Sequence, residues 1–247
     1  MSDVTISYKG ADIATMDATG SKTLQTQGKY CEGDISVAYI KPSGGGYDPF
    51  PIPEGYSLPS GYQKLAYCDS DGYQYCDSAV VPTFNTKIVL NGIQIPGRYE
   101  GYAAMTGAVN CVIASATNYS NIHYWTFGNK ADFSNIYSDR LIPTFSLDKN
   151  EARVSSPPFP DEQTNCGATS FSVPEGTTIA ICGRYSGRTI ERRCPVRFWR
   201  EQIYDDGVLI RYIVPTLKDG NEVCLYDLVT DLYMPNLGTG VLVGVLP

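Results

Sequence analysis

The amino-acid sequence predicts an all-β protein. Its 247 residues include 24 glycines and 19 tyrosines, and only 18% of the residues are charged. Tyrosine suits a pleated, half-buried surface, and glycine suits the turns between strands. Toward the C-terminus, short runs of alternating apolar and polar residues are separated by Gly, Asn and Asp, with almost no room for a helix. We therefore expect strands joined by tight turns.

The C-terminal part predicts a β meander. The runs that alternate as strands do are residues 198–204, 208–215 and 224–228, and the breaks lie at residues 205–207 and 236–240. The first break reads Asp-Asp-Gly, which is typical of a tight turn between antiparallel strands.

A second segment, residues 58–77, supports the same class. Its Asp71-Gly72 step predicts a hairpin, because glycine takes positive φ at no steric cost and the flanking residues are aromatic or apolar. Cys68 and Cys76 flank this turn, so a hairpin would place them on facing strands.

The N-terminal part predicts a small β module over residues 1–41. Four β-prone runs, at residues 4–8, 11–16, 22–26 and 35–40, are separated by glycine-containing breaks. A module of about forty residues seldom buries enough apolar surface to stand alone. We expect it to dock onto a partner or to trimerise.

Residues 42–60 connect this module to the rest of the chain, residues 61–247. A glycine run is followed by a stiffer proline-rich segment, which is typical of a spacer. The alternative is that this segment is held by neighbouring chains or by the C-terminal domain itself.

The eight cysteines are interpreted as buried free thiols. An even number of cysteines indicates disulfides mainly in short secreted chains, and this N-terminus shows no export signal. Zinc is not indicated, because there is no Cys-x-x-Cys pair and His123 is the single histidine. We expect no cofactor and no metal, and no Asp-rich loop has the spacing of an EF-hand calcium site.

The composition argues against two classes of partner. A formal net charge of −7 disfavours binding to nucleic acid or to anionic membranes. No segment has the apolar length needed to cross a bilayer, so we expect no membrane insertion.

Two parts of the sequence carry a resemblance to known proteins. "LPSGYQKLAY", "SDGYQYCDS" and "IYDDGVLIRYIVP" with "EVCLYDLVTDLYMPNLGTG" resemble a concanavalin A-like (laminin G-like) jelly-roll module common in phages and prophages of gut Gram-positive bacteria. The resemblance covers residues 61–247 and departs at Cys68, Cys76 and Cys224, where apolar residues are usual. Residues 6–10, 28–31 and 34–37 resemble a small β module of phage virion proteins.

The resemblance implies an N-terminal β anchor followed by a jelly-roll β-sandwich, in a virion protein of the fibre or adhesin type. Residues 1–41 would bind other virion proteins, and the sandwich would bind host cell-surface polysaccharide. By analogy we expect a homo-oligomer, with a trimer favoured, in a phage particle assembled in the bacterial cytoplasm. The main alternative is a structural head or tail decoration protein without a carbohydrate ligand.

Catalysis is not expected, and no catalytic residue is assigned. A glycosidase needs two carboxylates at a fixed separation. The candidate pairs are Asp69 with Asp71, Asp205 with Asp206, and Asp161 with Glu162. The first two pairs lie at predicted turns, where Asp bonds its own backbone, and the third follows a proline cluster.

A carbohydrate site needs an aromatic ring for the C–H face of a sugar, and polar groups that match its hydroxyls. The candidate residues are Tyr119, Asn121, His123, Trp125 and Asn129, with Tyr99 and Tyr102 on the same rim. In a strand over residues 122–127, alternation puts His123 and Trp125 on one face. Whether Trp125 belongs to the core or contacts a ligand stays open.

Overall fold

The structure is a computed structural model, and it describes the following parts of the chain: residues 4–8, 11–16, 35–37, 40–41, 48–95, 102–116, 122–135, 143–156 and 159–247.

All the regular elements of the described residues are strands. In chain order they are β1 (Val4–Tyr8), β2 (Ala11–Met16), β3 (Ile35–Val37), β4 (Ile40–Lys41), β5 (Tyr62–Lys64), β6 (Tyr67–Asp69), β7 (Cys76–Asp77), β8 (Thr86–Gln94), β9 (Tyr102–Ala108), β10 (Cys111–Ala116), β11 (Ile122–Phe127), β12 (Lys130–Asn135), β13 (Thr144–Leu147), β14 (Glu151–Ser156), β15 (Phe159–Asn165), β16 (Ala180–Ile181), β17 (Arg184–Ser186), β18 (Thr189–Glu191), β19 (Val196–Asp205), β20 (Val208–Lys218), β21 (Glu222–Asp227), β22 (Leu232–Met234) and β23 (Val243–Val245).

Two large sheets form a sandwich. The long sheet runs β15-β14-β13-β8-β19-β20-β21-β22, with β5, β6, β23 and β4 attached, and the short sheet runs β12-β11-β10-β9-β16-β7, with β17 and β18 attached. A separate small sheet has the order β2-β1-β3. The predicted all-β class with a β-sandwich is confirmed.

The C-terminal meander is also confirmed. Strands β19 to β22 pair antiparallel in chain order. The turn between β19 and β20 consists of Asp206 and Gly207, both with positive φ (48° and 78°), which matches the right-handed twist of a two-residue hairpin.

The hairpin predicted at Asp71-Gly72 is wrong. Strand β6 pairs with β19 and β23 in the long sheet, whereas β7 pairs with β16 in the short sheet. Cys68 and Cys76 therefore lie in different sheets. The chain passes from one sheet to the other between β6 and β7. The buried Gln74 fixes this path, because its Oε1 accepts from the Asp71 N–H (2.9 Å) and its Nε2 donates to the carbonyl of Thr239 (3.1 Å).

The N-terminal runs at residues 4–8 and 11–16 are strands, as predicted, and the run at 22–26 lies outside the described residues. The run at 35–40 is divided: its first part is β3 in the small sheet, and β4 pairs parallel with β23 of the long sheet. The chain therefore leaves its N-terminal module along the edge of the sandwich.

Residues 48–60, which we call the strap, pack on the long sheet, as the alternative to a free spacer predicted. Ile52 and Leu58 contact a buried cluster made of Tyr212, Val214, Tyr226 and Leu228. The strap lies on the outer face of the long sheet, meaning the face turned away from the short sheet.

The main core fills the space between the two large sheets. Its fully buried side chains include Ile88, Leu90, Ile203 and Ile213 from the long sheet and Met105, Phe127 and Ile181 from the short sheet. The seven described cysteines also lie in buried positions and are unpaired, as predicted. Burial raises the pKa of the Cys182 thiol to about 12 and that of Cys224 to about 11, so these thiols stay protonated.

A β-bulge in β19 decides which side chains enter this core. The register with β8 shifts between Phe198 and Arg200, which makes Trp199 an extra residue. Before the bulge Phe198 is buried, and after it Glu201 and Ile203 are buried. Strict alternation from Phe198 would instead have turned Arg200 inward.

The bulge places the carboxyl group of Glu201 inside the sandwich. Its Oε1 lies 3.0 Å from the Thr106 hydroxyl, and Oε2 has no partner among the described residues. The single hydroxyl proton of Thr106 has another acceptor, the carbonyl of Ala180 at 3.0 Å. If the proton goes to that carbonyl, the carboxyl must donate to Thr106. Burial raises the pKa of Glu201 to about 8, which agrees with a protonated carboxyl.

This carboxyl group predicts a pH-dependent stability. The unfolded chain releases the proton above the ordinary pKa of 4.5, and the folded chain releases it near 8. Between these values the unfolded state binds fewer protons, so the free energy of unfolding should fall by up to about 1.4 kcal/mol per pH unit. Glu201→Gln keeps a donor for Thr106 and should flatten this slope in denaturant titrations at pH 5, 7 and 9.

The matched control is Glu175→Gln, at an exposed position. It should reproduce the wild-type slope. An unchanged slope in Glu201→Gln would show that Glu201 does not hold its proton in the folded state.

Candidate functional site

A groove of about 580 Å³ lies on the outer face of the long sheet. The residues that line it are Asn85, Thr86, Lys87, Val89, Asp148, Lys149, Asn150, Gln202, Tyr204, Asp206 and Gly207. Its volume falls within the range of small-molecule sites, about 300–1,000 Å³.

Two adjacent strands form the floor of the groove. Lys87 and Val89 of β8 alternate with the buried Ile88, and Gln202 and Tyr204 of β19 alternate with the buried Ile203. Cross-strand pairing sets Gln202 beside Val89 and Tyr204 beside Lys87. The bulge at Trp199 is what turns Gln202 and Tyr204 toward the groove.

A tight turn between β13 and β14 forms one wall. The carboxylate of Asp148 accepts from the backbone N–H groups of Asn150 (2.7 Å) and Glu151 (3.0 Å). These bonds fix the turn and thereby the position of the Asn150 side chain at the rim. The opposite wall is the Asp206-Gly207 turn, and the Asp206 N–H donates to the carbonyl of Asn85 (3.2 Å).

The charges of the groove are balanced, with two lysines and two aspartates among its lining residues. The Lys87 ammonium lies 3.9 Å from the Asp148 carboxylate. Lys149 donates to Oδ1 of Asn85 (2.7 Å), and its ammonium lies 5.1 Å from the centre of the Phe84 ring. The groove therefore offers amides, carboxylates and ammonium groups around one half-buried tyrosine ring.

This set of groups suits recognition by hydrogen bonds and ring stacking. Amide and carboxylate groups match hydroxyls as donors and acceptors, and the Tyr204 ring offers an apolar face. Among the described residues, no group of three or more His, Cys, Asp or Glu side chains is placed to hold a metal ion.

Most of the site residues predicted from the sequence stay untested by the structure. Tyr99, Tyr119 and Asn121 lie outside the described residues. For His123 and Tyr102 the structure describes the backbone, which lies in β11 and β9 of the short sheet. The groove lies on the long sheet instead.

Trp125 belongs to the core. It is 6% exposed and lies in the main buried cluster with Phe127, on the inward face of β11. The interpretation of Trp125 as a core residue, which the sequence left open, is therefore the one that the structure supports. A ring buried between two sheets has no free face for a sugar.

Asn129 is exposed and has a structural role. It lies in the turn between β11 and β12, where its Nδ2 donates to Oγ1 of Thr169 (3.1 Å) and its Oδ1 accepts from the Thr169 N–H (3.1 Å). Its neighbour Gly128 has φ +56°, and a Cβ there would lie 2.0 Å from the carbonyl oxygen of Ser170. This turn is thus fastened to the loop at residues 169–170.

The sequence analysis missed the groove residues. Gln202 and Tyr204 are separated by one residue beside a recognised turn, which is a signal for a shared face. However, Asp148 and Asn85 come from distant parts of the chain, and only the pairing of β8, β13 and β19 brings them together.

The fold defines the protein as a β-sandwich of two mainly antiparallel sheets. No protein-family model and no curated protein matches the sequence. The fold is similar to the crystal structure of a putative carbohydrate binding protein from Bacteroides ovatus ATCC 8483, with a TM-score of 0.51 and 11% identity. The match covers 74% of this chain and 61% of that chain. At this identity, the likeness shows the fold alone.

No helix of the described residues has the length and apolar character to span a membrane.

The role of Asn129 predicts a modest loss of stability in Asn129→Ala. Two hydrogen bonds at an exposed turn would be lost, so the free energy of unfolding should fall by about 1 kcal/mol. Chemical denaturation measures this change. The control is Asn221→Ala, at an exposed position whose side chain has no hydrogen bond to the described residues. Equal stability of the two variants would contradict the fastening role of Asn129.

Proposed function

We propose that the β-sandwich binds a glycan reversibly in the outer groove. The observation that carries this proposal is the placement of the Tyr204 ring among hydrogen-bonding side chains in one concave site. Sugar rings present an apolar C–H side and a polar rim of hydroxyls, and such a site matches both.

The polar groups of the groove are held in fixed positions, and this rigidity supports binding. The Asp148 turn and the Lys149–Asn85 hydrogen bond hold the walls in place before any ligand arrives. Pre-ordered groups lose less entropy on binding, so they contribute more to affinity. The similarity of the fold to that of the Bacteroides ovatus protein is a further, weaker support.

At a finer level, we propose a bacteriophage virion protein of the fibre or adhesin type. Its N-terminal module would attach to other virion proteins, and the sandwich would bind host surface polysaccharide without any chemical step. The support is the resemblance in residues 61–247 and the separate small sheet formed by β1, β2 and β3. Many copies on one particle, for example as trimers, would turn weak single-site binding into strong attachment.

A second candidate function is structural decoration of the head or tail. Three exposed apolar side chains lie in the loop before β8 and beside the turn between β19 and β20: Val81, Phe84 and Val208, exposed by 56%, 37% and 64%. Exposed apolar groups at one end of a sandwich favour protein contact. This function requires co-assembly with virion proteins and no affinity for polysaccharide.

The glycan proposal predicts that Tyr204→Ala weakens binding. Loss of the stacking ring should raise the Kd about tenfold, which corresponds to about 1.4 kcal/mol. The measurement is titration calorimetry of the full chain with surface polysaccharides purified from a panel of gut bacteria, supported by binding to the same cells before and after the polysaccharide is removed.

The control is Tyr73→Ala, which removes an exposed tyrosine near the opposite end of β19. It should bind as the wild type does. Equal binding by Tyr204→Ala and the wild type would place the glycan outside the groove. Absence of binding to every polysaccharide and every strain would favour the decoration function.

A further inference from the structure

The strap covers an aromatic part of the outer face. Phe50 lies over the guanidinium group of Arg200, with 4.2 Å between the Arg200 Cζ and the ring centre. Tyr56 stacks on Tyr212, with ring centres 6.1 Å apart and an angle of 24° between the rings. Two flat groups of the sheet therefore have aromatic rings of the strap on top of them.

The covered groups are held rigidly by the sheet. Arg200 donates from Nε to Oδ1 of Asn91 (2.8 Å) and from Nη1 to the Tyr212 hydroxyl (2.8 Å). Asn91 in turn donates to the Thr144 hydroxyl (2.7 Å). Tyr212 and Arg200 would therefore keep their positions without the strap, because side chains of the sheet fix them.

The covered area continues the groove. On β8 the next outward position after Val89 is Asn91, and on β19 the position two residues before Gln202 is Arg200. Across the strands, Gln202 pairs directly with Tyr212. The outer face is therefore one surface, of which one part is the open groove and the other part lies under the strap.

The strap is held by side chains and not by a strand ladder. The strap contains no strand, and its two backbone hydrogen bonds in the described structure are local turns, from the Tyr56 N–H to the Pro53 carbonyl (3.2 Å) and from the Tyr62 N–H of β5 to the Pro59 carbonyl (3.2 Å). An ion pair of Asp48 with Lys64 (2.5 Å) fixes its start, and burial lowers the pKa of Lys64. The strap can therefore detach from the outer face while the hydrogen bonds between the strands of the long sheet stay intact.

We propose that the strap is a displaceable cover over the second half of an extended glycan-binding face. A polysaccharide long enough to pass beyond the groove takes the place of Phe50 on Arg200 and of Tyr56 on Tyr212. This inference rests on the proposed function. Short fragments occupy the open groove alone, whereas a polymer competes with the strap, so the strap lowers the affinity for polymer.

The test uses the full chain with the double substitution Phe50→Ala and Tyr56→Ala. The probes are the polysaccharide that binds in the panel above and short fragments prepared from it. A looser strap raises the fraction of the uncovered state, so the polymer should bind about fivefold more tightly while the fragments bind as they do to the wild type. Tyr73→Ala is the control and should change neither affinity.

A second measurement uses the wild type and does not depend on the folding of the variant. Hydrogen exchange at the Tyr56 amide, which donates to the Pro53 carbonyl, should become faster when the polymer saturates the protein, and should stay unchanged with saturating fragments. Unchanged exchange with both probes, together with equal polymer affinity of the double variant and the wild type, would overturn the strap proposal.

The outcomes separate the two proposals. If the fragments and the polymer both bind and the strap does not respond, the groove proposal stands and only the strap proposal fails. If neither probe binds to the wild type or to the double variant, the proposed function fails and the strap proposal fails with it.

Discussion

One extra residue in β19 determines what the long sheet presents on each side. The bulge at Trp199 reverses the alternation, so that Glu201 and Ile203 face the core. Arg200, Gln202 and Tyr204 alternate with these two residues and face outward. Because the side-chain period of a strand is two, a single insertion exchanges the two faces for the rest of the strand.

This exchange has one consequence inside the sandwich and another outside it. Inside, an ionisable carboxyl group is buried with one polar neighbour, Thr106, and this burial raises its pKa to about 8. Such a group costs stability, since its charged form cannot be solvated there. Outside, the same shift aligns Arg200, Gln202 and Tyr204 along one surface. The protein thus keeps a costly interior group in the strand that forms its candidate binding face.

The outer face joins parts of the chain that are far apart in sequence. The groove combines side chains from the segments around residues 85–89, 148–150 and 202–207, and the strap adds residues 48–60. The strap also lies between the N-terminal module and the sandwich in the chain.

The sequence by itself determined the all-β class, the meander and the Asp206-Gly207 turn, because alternation and turn chemistry are local properties. It also predicted the buried thiols. Only the tertiary structure decided that Trp125 is a core residue, that Asn129 fastens a turn, and that β6 and β7 lie in different sheets. The place of the groove was likewise decided by long-range pairing of β8, β13 and β19, because a bulge and a strand order depend on contacts between distant residues.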